Sequence, residues 1–201
     1  MIDQLARIDE TECIKLARKG DQDAFTNIVE TYQNPVYNMC YRMLRNPQAA
    51  EDAAQETFWR AHKNLHRYDS KRPFATWLLS IAAHYCIDQQ RRKRLPSIDL
   101  NEIIEFSAED PAPKPESITV KSEFSEEVQR QLAQLSENDR AVLVLRYWYE
   151  MSEDEICETL SISKSAVKSR LHRARNHMAE QWTESQKTLA MERRQHETQT
   201  V

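Results

Sequence analysis

One glycine, Gly20, stands in 201 residues. Two-residue β-hairpin turns draw on glycine for their positive φ angles, so this chain is poorly suited to a turn-rich β architecture. Phosphate-cradling loops and dinucleotide fingerprints need several glycines at fixed spacing, and they are excluded outright. What remains is an all-α chain, and its apolar residues recur at helical spacing over most of its length.

The clearest helical pattern lies in residues 151–178, MSEDEICETLSISKSAVKSRLHRARNHM. Ser152 followed by Glu155 has capping-box spacing, in which each side chain satisfies the other residue's free backbone N–H. Ile156 and Leu160 sit one turn apart. Ser161, Ile162 and Ser163 interrupt the pattern, and Ser163 can cap a second helix. There Val167, Leu171, Ala174 and Met178 form one apolar stripe, opposite Ser165, Lys168, Ser169, His172, Arg173 and Asn176. Between residues 163 and 178 there are five basic side chains (Lys164, Lys168, Arg170, Arg173, Arg175) and no acid. Two short helices, the second with a basic hydrogen-bonding face, describe a helix-turn-helix with a recognition helix for a DNA major groove. The plainer alternative is a helix pair with a solvated charged face.

Charge divides the chain. Residues 1–95 carry 15 basic and 12 acidic side chains, residues 96–126 carry 2 and 8, and residues 127–201 carry 11 and 12. Two mixed-charge blocks are thus joined by an acidic segment holding Pro96, Pro111, Pro113 and Pro115, the composition of an extended or disordered linker. No apolar run approaches the ~20 residues of a membrane span, and residues 1–10 lack a signal-peptide core, so a cytoplasmic protein is expected. Cys13, Cys40, Cys86 and Cys157 are scattered through apolar helical contexts, as buried free thiols are. His62 and His66 have the spacing of a helical metal pair but no third ligand pattern, so neither a metal nor a cofactor is expected. No nucleophile motif suggests an enzyme.

In chain order, residues 11–19 read as a short helix stopped by Gly20. A longer pattern from Asp21 to Leu44 meets Pro35, which allows a kink or a fresh start. Residues 48–65 form a helix with an apolar stripe of Ala50, Ala54, Phe58, Ala61 and Leu65. Its opposite face shows Asp52, Gln55, Glu56, Trp59 and Lys63. A tryptophan among acids fits either a protein partner or cover by a neighbouring helix. After the polar loop 68–73, Phe74, Trp77, Leu78, Ile81 and Tyr85 mark a helix running into the basic run Arg91 to Arg94. Aromatics beside cations suit single-stranded nucleic acid, although Phe74 and Trp77 also lie on the apolar stripe. Further helices are expected from about 123 to 135 and from Ser136 to Trp148, with a frayed polar tail after Trp182.

These motifs resemble the extracytoplasmic-function (ECF, group 4) bacterial sigma factors, of sigma-E type, over nearly the whole chain. The segments that carry the resemblance are DQDAFTNIVETYQNPVYNMCYRML, AEDAAQETFWRAH, RPFATWLLSIAAHYCID with RRKR, and LSENDRAVLVLRYWYEMSEDEICETLSISKSAVKSRLHRAR. It implies two small helical domains, residues 1–95 (sigma region 2) and 127–182 (sigma region 4), an acidic flexible linker 96–126 and a flexible tail 183–201. It implies that Asp52, Gln55, Glu56 and Trp59 bind core RNA polymerase at the β′ clamp helices. Tyr68, Lys71, Arg72, Trp77, His84, Arg91 and Arg92 fall where the family recognises and melts the −10 element. There a base is flipped from the stack into a pocket near the 68–73 loop. Arg146, Lys164, Ser165, Lys168, Ser169, His172 and Arg173 fall where it contacts the −35 element. Promoter DNA and an anti-sigma factor are the other implied partners. The chain departs from the family at His84 (often Asn), at Ser165-Ala166 (Gly-Thr) and at Ser161 (often Gly). The competing function is a stand-alone helix-turn-helix transcription factor with an amino-terminal sensor or dimerisation domain, binding symmetric half-sites unaided.

Overall fold

The computed structural model describes residues 10–94 and 119–199, with side chains described for 10–93 and 127–183. The described residues form α1 (Glu10–Arg18), α2 (Gln22–Leu44), α3 (Pro47–Asn64), a 3-10 turn (Leu65–Arg67), α4 (Phe74–Arg94), α5 (Thr119–Gln134), α6 (Glu137–Trp148), α7 (Glu153–Leu160) and α8 (Lys164–Gln199). The linker expected over 96–126 lies outside the described residues up to 118.

Local chemistry sets the boundaries. Asp21, Asn46, Ser136 and Ser152 each accept the N–H three residues on, capping α2, α3, α6 and α7. Pro47 occupies the first turn of α3, where its missing N–H costs nothing. Pro35 does not restart its segment: α2 runs through it as one helix. Fully buried Val36, Met39, Cys40 and Met43 follow it directly, so packing outweighs the single backbone hydrogen bond that proline removes. Beyond Trp182, where fraying was expected, the backbone stays helical to Gln199; that stretch contains neither Gly nor Pro.

In the first block α2 is the central element. Ala50, Ala53, Ala54 and Ala61 of α3 are buried, and small side chains let that helix lie close against α2. Phe74, Leu78, Leu79, Ala82, Ala83, Cys86 and Ile87 of α4 fill the remaining side. In the second block α6 is central, with Ala141, Val142, Leu143, Val144 and Leu145 all buried. Ile156 and Leu160 from α7, and Val167, Leu171 and Ala174 from α8, close over it.

The two blocks pack against each other, and their buried apolar side chains belong to one cluster. Polar contacts secure the junction. The C-terminus of α2 presents carbonyls with no helical donor. Arg45, at φ 60°, donates back to Tyr41. Another of these acceptors, the buried Met43 carbonyl, is met by Gln90 Nε2 at 2.6 Å and by Arg140 Nη1 of α6. Arg140 is buried, and it also donates to the carbonyls of Ala133 (2.8 Å) and Leu135 (3.2 Å). A second-block arginine therefore caps a first-block helix with the sign that the helix dipole favours. Tyr149 Oη donates to the Pro35 carbonyl at 2.6 Å, and burial pushes its hydroxyl pKa up. The Arg42 guanidinium lies 5.1 Å from the Trp148 ring centroid.

Candidate nucleic-acid and partner interfaces

The helix-turn-helix forms as its sequence predicts. Ser152 and Glu155 complete a reciprocal capping box at α7, and those hydrogen bonds hold the Glu155 carboxyl below its ordinary pKa. Ser161 ends α7 in the left-handed region, at φ 54° and ψ 43°. Ser163 Oγ accepts from Ala166 N–H at 3.3 Å and starts α8. Val167, Leu171 and Ala174 face inward, which turns the opposite stripe of α8 to solvent.

On that stripe Lys164, Ser165, Lys168, Ser169, His172 and Arg173 are all exposed. Each cation is paired with an acid. Lys164 Nζ donates to both carboxylate oxygens of Asp154, at 2.8 and 2.9 Å, which raises its pKa. Lys168 lies 3.9 Å from Glu153. Arg173 donates through Nη2 and Nε to Asp139, at 2.9 and 3.3 Å, and through Nη1 to Ser169 Oγ at 3.0 Å. Arg146 is half-buried and donates to the Met151 carbonyl at 2.8 Å. Asp139 was not picked out from sequence: it occupies the third position after the Ser136 cap and reads there as an ordinary helix-start acid. Its contact to Arg173 spans 34 positions, which no local pattern reports.

The residues around α4 separate into two groups. Tyr68 is buried, not surface-facing. Its ring packs on Phe74 and Trp77, with centroids 5.2 Å away in both cases, and its hydroxyl donates to the Arg72 carbonyl. Those contacts make Tyr68 the staple that closes the 68–73 loop, in which Lys71 N–H also donates to Asp69 Oδ1 at 3.0 Å. Trp77 is half-buried in the same aromatic cluster. His84, Arg91 and Arg92 are exposed. Trp77, His84 and Arg91 are seven residues apart, so they fall in one row along α4. Two of the loop and row cations meet second-block acids: Arg72 with Glu158 at 3.4 Å, and Arg91 with Glu137 at 3.9 Å.

On α3 the Asp52, Gln55 and Trp59 side chains are exposed. Trp59 is 58% exposed, so none of the described helices covers it, and Lys63 Nζ stands 5.0 Å from its ring centroid. Glu56 is half-buried and accepts from Arg60 Nε at 2.7 Å. The cysteines are free: Cys13, Cys40 and Cys86 are buried, and Cys157 is half-buried. Among the described residues no helix is long and apolar enough to cross a membrane.

Comparison with known proteins matches residues 28–95 to the family described as Sigma-70 region 2, and residues 125–178 to Sigma-70, region 4. The ECF RNA polymerase sigma factor SigW of Bacillus subtilis (strain 168) is 40% identical over 176 residues, which cover 84% of this chain and 94% of that protein. The structure of CnrH in complex with the cytosolic domain of CnrY has a TM-score of 0.63 at 24% identity, covering 85% of this chain and 94% of that one. The sigma factor RpoE in complex with the anti-sigma factor NepR from Bartonella quintana also gives a TM-score of 0.63, at 21% identity, covering 79% of this chain and 96% of that one. At these identities the two solved structures establish likeness of fold.

Proposed function

Since the chain belongs to the ECF sigma factors, which direct RNA polymerase to promoters, we propose that its three exposed surfaces divide that task between them. The exposed stripe of α8, from Lys164 to Arg173, reads the upstream −35 element in the major groove, with Arg146 supporting it from α6. The 68–73 loop and the Trp77–His84–Arg91 row, with Arg92, engage the −10 element and its melted strand. Here Tyr68 acts from inside by shaping the loop. The Asp52, Gln55, Glu56 and Trp59 face docks on the β′ clamp helices of core polymerase. The chain contributes specificity and no catalysis, and it works in the compartment that holds the polymerase. Residues 1–95 and 127–182 act as the two functional domains, joined by the acidic 96–126 linker.

The observation that carries this assignment is the recognition helix itself. A capped α7, a left-handed turn at Ser161 and a capped α8 present three cations and two hydroxyls on one solvent face, as major-groove reading requires. An anti-sigma partner fits the same assignment. Of the two solved structures of similar fold, RpoE is in complex with the anti-sigma factor NepR and CnrH with the cytosolic domain of CnrY, and an exposed tryptophan beside acids is a surface that a regulator can cover. The test is transcription by core polymerase supplemented with the full chain, on a promoter carrying both elements. Lys168→Ala lowers transcription that depends on the upstream element and leaves co-purification with core polymerase unchanged. Equal transcription by Lys168→Ala and wild type, on promoters with and without that element, removes Lys168 from the reading surface.

A further inference from the structure

Asp139 lies at the back of the α8 stripe, where no surface assignment reaches. Its side chain is 12% exposed, while those of its partners Arg170 and Arg173 are 26% and 54% exposed. Arg170 Nη1 approaches the same carboxylate at 3.4 Å. One carboxylate thus holds two guanidinium groups, and the cluster keeps a net positive charge. The order of exposure fixes the direction of the effect: the acid is behind and the Arg173 cation is in front. An acid in front would repel phosphate; an acid behind restrains the cation and leaves its outer side to a ligand.

The donor count supports this. A guanidinium has five N–H groups in a planar fork. Arg173 uses three of them, two on Asp139 and one on Ser169. Two remain, one on each terminal nitrogen, and two coplanar N–H groups match the paired O6 and N7 acceptors of a guanine in the major groove. An unrestrained arginine on an exposed helix face loses considerable rotamer freedom on binding. Arg173 is held before DNA arrives.

We propose that Asp139 is a positioning residue for upstream-element recognition, holding Arg173 with its free fork outward for a guanine edge while Arg170 braces the carboxylate. This rests on the assignment of Arg173 to the −35 surface. The backbone role of Asp139 is separable, since its N–H, not its carboxylate, bonds to the Ser136 cap at 3.2 Å. Asp139→Asn keeps shape and cap and removes the charge; Asp139→Glu restores the charge.

The experiment uses holoenzyme assembled from core polymerase and full chain. Transcription is measured on a panel of promoters in which each upstream base pair is replaced in turn. Arg173→Ala, Asp139→Asn, Asp139→Glu and the Asp139→Asn/Arg173→Ala double variant are compared. The expected result is loss of preference at the same base pair in Arg173→Ala and Asp139→Asn, by about fivefold or more. The double variant is no worse than Arg173→Ala, and Asp139→Glu recovers part of the preference. If Arg173→Ala loses its preference and Asp139→Asn keeps it, the positioning role alone is overturned. If Arg173→Ala keeps its preference, the assignment of Arg173 and the positioning role both fall. A uniform loss across the panel in Asp139→Asn, with a lowered melting temperature, makes Asp139 structural and overturns the proposal. So does tighter upstream binding by Asp139→Asn, which would make the acid a mask.

Discussion

Arg140 is where the junction between the two blocks is most exposed to a single change. Its guanidinium is buried and serves three carbonyls, those of Met43, Ala133 and Leu135. Arg140→Leu keeps comparable bulk and removes every donor. Met43 retains Gln90 as a donor, so the loss falls on Ala133 and Leu135. A buried acceptor left dry costs about 1–3 kcal/mol, and a hydrogen bond from a charged donor contributes about 1.5–3 kcal/mol. The Leu135 contact is buried and the Ala133 contact partly so; the two losses, softened by relaxation and by water at Ala133, predict a destabilisation of about 3 kcal/mol. For a chain of this size that lowers the midpoint by about 6–12 °C. Arg140→Lys keeps the charge but cannot span three acceptors, and it falls between wild type and Leu. Thermal and urea unfolding of the three proteins measures this. A buried ion pair can often be replaced by an apolar side chain at little cost, but carbonyls cannot be discharged that way. A shift below about 1 kcal/mol for Arg140→Leu, about the net worth of one ordinary hydrogen bond, refutes the capping argument.

Ser161→Gly should stabilise the chain by about 1 kcal/mol, because Ser161 stands at φ 54°, where a side chain is disfavoured; equilibrium unfolding in urea decides it, and no gain would show the turn unstrained. The lowered Glu155 pKa gives the α7 cap a pH dependence. The folded value lies below the unfolded one, so the stabilisation is complete above the ordinary carboxylate range near pH 4–5 and disappears as pH falls through the folded value. Melting curves of Glu155→Gln should therefore lie below wild type at pH 7, by about 0.5–1 kcal/mol, and converge with it in acid; a gap that persists in acid contradicts the cap. Trp59→Ala should weaken binding to core polymerase about thirtyfold, the equivalent of ~2 kcal/mol, with an unchanged melting temperature, since the ring is 58% exposed; retained affinity with a lower melting temperature would make Trp59 structural.

How much could be read from sequence depended on the distance over which each interaction acts. The α7 capping box spans three residues, and the apolar stripe of α8 repeats every turn. Both are local, and both are present as written in the sequence. The single glycine correctly excluded strands among the described residues. Pro35 was ambiguous because its effect depends on what packs around it, and Val36, Met39 and Cys40 decide that only after folding. The family resemblance places Tyr68 at the −10 surface, but its burial depends on packing: the hydroxyl is satisfied by the Arg72 carbonyl, and the ring turns inward. The junction was not legible at all. Arg140 and Met43 are 97 positions apart, and Tyr149 and Pro35 are 114 apart. Charge bookkeeping separated the blocks but carried no information about their packing.

The contacts at that junction differ in how they respond to salt, and this bears on DNA binding. Arg140 and Tyr149 act in buried or half-buried surroundings, where ionic strength has little reach. The Arg72–Glu158 pair is about half exposed on both sides, at 51% and 52%, and such a pair contributes about 0–1 kcal/mol. Arg72 also belongs to the loop proposed to meet the −10 element. A phosphate that engages Arg72 must first displace Glu158, a carboxylate tied to α7, so the acid offsets part of the electrostatic gain. Glu158→Gln frees Arg72 without touching the buried contacts. The expected outcome is tighter binding of promoter duplex by the isolated chain at low salt. The dependence of log K on log salt should steepen by about 0.9, the increment for one additional neutralised phosphate. Fluorescence anisotropy on a labelled duplex across a salt series measures both quantities, with circular dichroism to check that helicity is unchanged. If affinity rises with the slope unchanged, Arg72 is not the released cation. If neither changes, Arg72 makes no phosphate contact in the isolated chain, and the competition between Glu158 and DNA is refuted.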